Sequence, residues 1–225
     1  MDYAPFIISM KTAICATIIT FIIGTYAACL VMKTKGTFRL ILDGIFTLPL
    51  VLPPTVAGFF LLLLLGKNGP LGRIFHALDI QVIFTWQATV IAAVVISFPL
   101  MYRSAKSSFE QIDQNLIYAG RTLGMSEWTI FVKVTMPLAL PGIISGGILA
   151  FARALGEFGA TLMIAGNIPK VTQTIPVAIY MATQGNRMDQ AMLWVGVIAL
   201  VSFIVIFLMN YIPTRNRRFH TKRKE

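Results

Sequence analysis

LALPGIISGGILAFARALGEFGATLMIA occupies residues 138–165, and its 28 positions carry only two charges, Arg153 and Glu157. A hydrocarbon core about 30 Å thick takes ~20 apolar residues of helix. The stretch is long enough to cross a bilayer, which makes the chain a membrane protein. Moving outward, four more runs pass the same test: 8–32, 44–65, 82–102 and 190–212. Thr174–Thr183, about ten residues, is too short to span and reads as re-entrant or interfacial. The expected fold is therefore an all-α polytopic bundle of five spans, one membrane domain over 1–214 with a basic tail over 215–225.

Composition points the same way. Of 225 residues, 56% are hydrophobic and 12% charged, against roughly 25% charged in soluble domains. Mean hydropathy is +0.77. An ordinary soluble enzyme, a disordered chain and a disulfide-stapled module are excluded. The two cysteines, Cys15 and Cys29, share one apolar run and suggest no disulfide framework. Tyr26-Ala27-Ala28-Cys29 imitates a lipoprotein cleavage box. Residues 1–10 hold no Lys or Arg, however, and the run has the length of a full span, so it is read as a span.

The net charge of +10 is a topology signal. With the N-terminus outside, the inner loops and tail hold thirteen Lys and Arg: Lys33, Lys35, Arg39, Arg103, Lys106, Arg121, Lys133, Arg215, Arg217, Arg218, Lys222, Arg223 and Lys224. The outer loops hold four, Lys67, Arg73, Lys170 and Arg187. The bias of short loops then predicts the C-terminus inside. A tail beside a span needs no nucleic acid to explain it.

The longest inner loop, 103–136, reads as two short helices. Asp113 can accept from the free N–H groups of a helix beginning at Gln114. Ile112 and Ile117 stand where a hydrophobic staple would form. Gly124 supplies a left-handed stop. Ser126 can cap a second helix, which Pro137 is expected to close as the chain enters the membrane. Ala119 and Gly120, side by side on the first helix, would let another protein approach its backbone closely.

In the second span Pro49, Pro53 and Pro54 each remove a backbone donor and free a carbonyl one turn back. Such groups must be satisfied by protein or by a wet cavity, so this broken helix is expected to line a path. In the fourth span Gly142, Gly146, Ala150 and Ala154 form a small-residue stripe for close helix packing, within the subunit or across a dimer. Arg153 lies sixteen residues past Pro137, about 24 Å along a helix. Left unpaired at that depth it costs at least ~2.5–3.5 kcal/mol. Glu157, at i+4, can pair with it, and Gly156 and Gly159 loosen the backbone around the acid. Three roles stay open for the pair: a structural bond, the shape of an outer gate, or direct anion contact.

The loop carries a resemblance. Importers of the ATP-binding cassette class have a cytoplasmic motif of Glu-Ala-Ala, three residues, Gly, nine residues and Ile-x-Leu-Pro. This chain has Tyr118-Ala119-Gly120, Gly124, and Val134-Thr135-Met136-Pro137, with Gly and Pro at that spacing, Tyr118 in place of the Glu and Gly120 in place of the second Ala. LPLVLPPTVAGF (48–59) and FARALGEFGATLMIAGN (151–167) are similar to permease subunits of molybdate importers, and the second stretch also to sulfate and tungstate permeases. The resemblance implies a type I importer permease in the inner membrane of a prokaryote. It further implies a complex of two copies of this chain, two ATP-hydrolysing subunits on the cytoplasmic side and an external oxyanion-binding protein. Coupling to the ATPase would fall to Asp113, Leu116, Tyr118, Ala119, Gly120, Arg121, Gly124 and Pro137. The path or gate would fall to Pro49, Pro53, Pro54, Arg153, Gly156, Glu157 and Gly159.

The residues themselves agree that energy comes from elsewhere. Gly66-Lys67-Asn68-Gly69 has the wrong spacing for a phosphate-binding loop. His76 and His220 stand apart from any Cys or carboxylate cluster, so neither a metal, a cofactor nor catalysis is expected. Two rival classes are a self-sufficient secondary carrier and a membrane scaffold. The first calls for repeated halves and several deep acids. The second leaves the prolines and Arg153 unexplained.

Overall fold

The computed structural model describes the backbone of residues 3–221 and the side chains of residues 3–207. Among the described residues eleven α-helices run in the order α1 (Ala4–Lys33), α2 (Gly36–Val51), α3 (Pro54–Leu65), α4 (Pro70–Ala77), α5 (Trp86–Glu110), α6 (Gln114–Thr122), α7 (Glu127–Ile130), α8 (Met136–Leu155), α9 (Gly159–Ala165), α10 (Ile175–Gln184) and α11 (Met188–Thr221). Among the described residues no strand occurs. Four helical stretches are long and apolar enough to cross a membrane: α1, α5, α7–α8 together, and α11 from Met188 to Phe207. Among the described residues the pair α2–α3 passes the same test only when its two helices, bent by 113°, are counted together, as a broken span or a re-entrant loop. The basic tail proposed from Arg215 onward lies outside the residues whose side chains are described.

Helix α5 is the central strut. It packs against α1, α8, α2 and α9. One core joins Ala27, Ala28 and Val31 of α1 to Met101, Tyr102, Ala105 and Phe109 of α5 and to Ala139, Ile143 and Ala150 of α8. A second joins Ala57 of α3 to Ala88, Ala92 and Ile96 of α5 and to Ala160, Ile164 and Ala165 of α9. Alanine makes up five of the seven buried residues of the second and five of the eleven of the first. Where lipid is as apolar as the helix surface, close backbone approach rather than side-chain bulk holds helices together.

The small-residue stripe of α8 serves this packing inside the subunit. A Cβ on Gly146 falls 2.5 Å from Ser104 Cβ, and one on Gly142 collides with the Ser108 hydroxyl, both on α5. Gly146→Ala should lower the unfolding free energy by about 1–3 kcal/mol through overpacking. Gly196→Ala, inside α11 where a Cβ meets nothing within 4 Å, should instead raise it by about 0.5–1 kcal/mol. Unfolding of the two variants in detergent measures the difference.

Four element boundaries differ from the hydropathy reading. The second span is two helices bent by 113°, and three prolines make one break, at Leu52–Pro53. Pro49 lies inside α2, while Pro54 opens α3, where a missing donor costs nothing. The stretch 138–165 breaks at Gly156, and α9 starts anew at Gly159. The run 82–102 starts later and ends later, as α5 over 86–110. Phe84 at φ 62° keeps residues before Trp86 out of the helix, and contacts to α2 and α8 carry it past Arg103. Pro137 closes nothing: α7 passes through a π turn, Phe131–Thr135, into α8, and Pro137 sits in the first turn of α8.

Candidate functional site

Two sites emerge from the residues singled out in the sequence. The first is the loop after α5. Asp113 caps α6, its carboxylate accepting from the Asn115 N–H at 2.9 Å. Gly124 ends the helix at φ +73°, which a residue without Cβ adopts freely. Ser126 caps α7 by accepting from the Thr129 N–H at 3.2 Å. Arg121 then clamps the two helices together: its Nε donates to Glu127 Oε1 at 2.6 Å and its Nη2 to Glu127 Oε2 at 3.1 Å. The Glu127 carboxylate holds the guanidinium above its ordinary range. Helices α6 and α7 are thereby one small body, joined to α8 through the π turn.

That body exposes large apolar side chains among polar ones such as Gln114, Asn115, Arg121 and Glu127. Leu116, Tyr118, Leu123, Trp128 and Val132 are all exposed, Leu123 at 79% and Trp128 at 73%. Ala119 is exposed with them. Leu123, Trp128 and Val132 escaped the sequence reading, which followed the motif and not the turn beyond it. A tryptophan at an exposed turn of a loop was the available signal.

Gly120 does something other than expected. It is buried, and a Cβ there falls 3.0 Å from Ile130 Cγ1. Its smallness serves the seat of α6 on α7, not the approach of a partner. Gly120→Leu should therefore displace α6 and weaken any partner docked on it. Gly120→Leu with Ile130→Ala should recover most of that binding by returning the volume. Pull-down of the partner by the two variants decides it.

The second site lies where the break between α2 and α3 meets the break between α8 and α9. Gly159 packs on the start of α3, its Cβ position 3.1 Å from Thr55 N and 3.2 Å from Pro54 Cβ. One turn on, a Cβ on Gly58 falls 2.7 Å from Ala160 Cα. The break at Pro53–Pro54 and the break at Gly156–Gly159 are thus brought together, which spacing in the sequence does not reveal. Pro49 stays apart, inside α2. Arg153 Nη1 lies 2.8 Å from Glu157 Oε2, close enough for an ion pair although not aligned as a hydrogen bond. Glu157 is 1% exposed and Arg153 29%. The other oxygen, Oε1, accepts from Ala160 N–H at 2.8 Å. Glu157 therefore neutralises Arg153 and also caps the restarted helix, satisfying a donor that has no water to turn to.

Among the described residues no group of three His, Cys, Asp or Glu could hold a metal ion.

Residues 20–218 match the model of a family described as the binding-protein-dependent transport system inner membrane component. The chain is 41% identical to the molybdenum transport system permease protein ModB of Escherichia coli (strain K12), over 88% of each chain. It is 45% identical, over 92% of each, to YvgM of Bacillus subtilis (strain 168), provisionally named as a permease of the same kind. Among solved structures, the inward-facing MetNI methionine ABC transporter superposes with a TM-score of 0.69 at 17% identity, covering 92% of this chain and 94% of that one.

Proposed function

The chain belongs to the family of binding-protein-dependent transport system inner membrane components, and from that premise we propose that it is the membrane-spanning subunit of an ATP-driven importer of molybdate. The single observation that carries the cargo is the identity of 41% to the Escherichia coli molybdenum permease, over 88% of each chain. The protein itself is a transport subunit and hydrolyses no ATP.

In the working complex two copies of the chain enclose the path on a two-fold axis. Two ATPase subunits sit on the cytoplasmic side, and an oxyanion-binding protein delivers cargo from outside. The membrane is the inner membrane of a prokaryote, crossed five times with the N-terminus outside, as the thirteen-to-four bias of basic residues supports. Closure of the ATPase pair on ATP pulls on the α6–α7 body. That pull passes through the π turn into α8, at whose far end stand Arg153, Glu157 and the junction of the broken spans. Nucleotide biases the outward or inward state only through contacts that differ between them, and the docked face of α6–α7 supplies those contacts. The junction of Pro53, Pro54, Gly156 and Gly159 is the gate.

Reconstitution in liposomes with the ATPase and the external protein tests this reading. Labelled molybdate should accumulate only with ATP, and excess tungstate or sulfate measures the selectivity. Accumulation without ATP would instead indicate a secondary carrier, and uptake of sulfate in preference to molybdate would replace the cargo.

A further inference from the structure

Helix α2 carries the broken span, yet among its residues none is buried. Its hold on α5 is concentrated at the cytoplasmic end. The Asp43 carboxylate accepts from the Tyr102 hydroxyl on one oxygen and from Lys106 Nζ on the other. Arg39 donates to Glu110, and Lys106 also comes within 3.9 Å of Glu110. Above this cluster the Phe46 ring meets Phe98 and Tyr102 edge-on, with centroids 5.5 and 5.3 Å apart. Tyr102 is fully buried.

This junction is unlike the rest of the bundle, where α5 meets α1 and α8 through buried alanines and glycines. The Lys106–Asp43 pair is mostly shielded, with side chains 18% and 23% exposed, and the shared Tyr102 hydroxyl ties it to the buried face of α5. Its place in the chain is also particular. Glu110 is the last residue of α5, three before the cap of α6, and Val51 at the far end of α2 adjoins Leu52 and the Pro53–Pro54 break. The cluster is a direct link between the element that takes up motion from below and the element that lines the path.

We infer that Asp43, Lys106 and Tyr102 are positioning residues for transport: they form the joint by which displacement of the α6–α7 body is passed through α5 to the broken helix α2–α3. This rests on the importer reading and adds to it a second route of coupling, beside the one through α8. Both routes must move together for ATP hydrolysis to be matched to cargo.

The measurement is molybdate imported per ATP hydrolysed, in the reconstituted complex. Asp43→Asn and Tyr102→Phe should lower that ratio about fivefold or more, the low end of site-to-site coupling, while hydrolysis continues. Tyr102→Phe removes only the hydroxyl and keeps the ring on Phe46 and Phe98, so folding is preserved. Variants that are less heat-stable yet import at the wild-type ratio would reduce the cluster to a structural bond and overturn the proposal. If the wild-type complex imports no molybdate, the cargo assignment has failed, and spin labels at Tyr26 on α1 and Leu40 on α2 still test the joint. An ATP-driven change in their distance should vanish in Asp43→Asn; its persistence would overturn the joint alone.

Discussion

Arg153→Ala should destabilise the protein by about 3–5 kcal/mol, the cost of leaving one member of a buried ion pair alone. The acid left behind is 1% exposed, with Ala160 N–H on one oxygen and nothing for the other. Glu157→Ala should cost less in charge, because Arg153 keeps 29% of its side chain exposed and can reach outward. It removes the cap of α9 as well, worth about 1 kcal/mol. Simple pairing predicts that a charge swap restores function, but the geometry predicts that it fails. Arginine at 157 cannot accept from Ala160, so Arg153→Glu with Glu157→Arg should remain impaired. Glu157→Gln, which keeps an acceptor, should be milder than Glu157→Ala. Unfolding in detergent ranks the four variants, and transport follows that ranking if the pair is structural.

The second large effect belongs to the exposed face of the α6–α7 body. Leu123→Asp and Trp128→Asp should each cost about 2 kcal/mol of binding to the ATPase subunit, as buried anchors of an interface do. Together they should abolish co-purification. Leu123 is 79% and Trp128 73% exposed, and Trp128 also stacks on Phe131, so the isolated membrane subunit should keep its thermal stability with Leu123→Asp and lose little of it with Trp128→Asp. Loss of binding with little or no loss of stability is the expected pattern. Equal loss of both would mean that the face is internal support.

Features governed by neighbouring residues were legible in the sequence. Asp113 and Ser126 cap the helices as expected, because a cap is a contact two or three positions long. Gly124 takes the positive φ expected of a helix stop. The i,i+4 pairing of Arg153 with Glu157 follows from helical spacing. What escaped depends on contacts far along the chain. Asp43 meets Tyr102 across 59 positions, and Arg39 meets Glu110 across 71. Hydropathy fixes a span by solvent preference, and it is blind to the close contact of Gly58 with Ala160 that sets two helix breaks side by side. Gly120 shows the same limit: smallness was visible, but not that Ile130 is what it makes room for. The π turn after Ile130 has no local signature at all.

The claim on which the rest depends is that the α6–α7 body is gripped by a separate ATPase. A cysteine scan from Gln114 to Val132, with crosslinking in the assembled and active complex, tests it most directly. Leu116, Tyr118, Ala119, Leu123 and Trp128 should join to the ATPase subunit, while Gly120 and Ile130, which face each other, should not. Crosslinks absent from the exposed positions, in a complex that still hydrolyses ATP and imports, would contradict it.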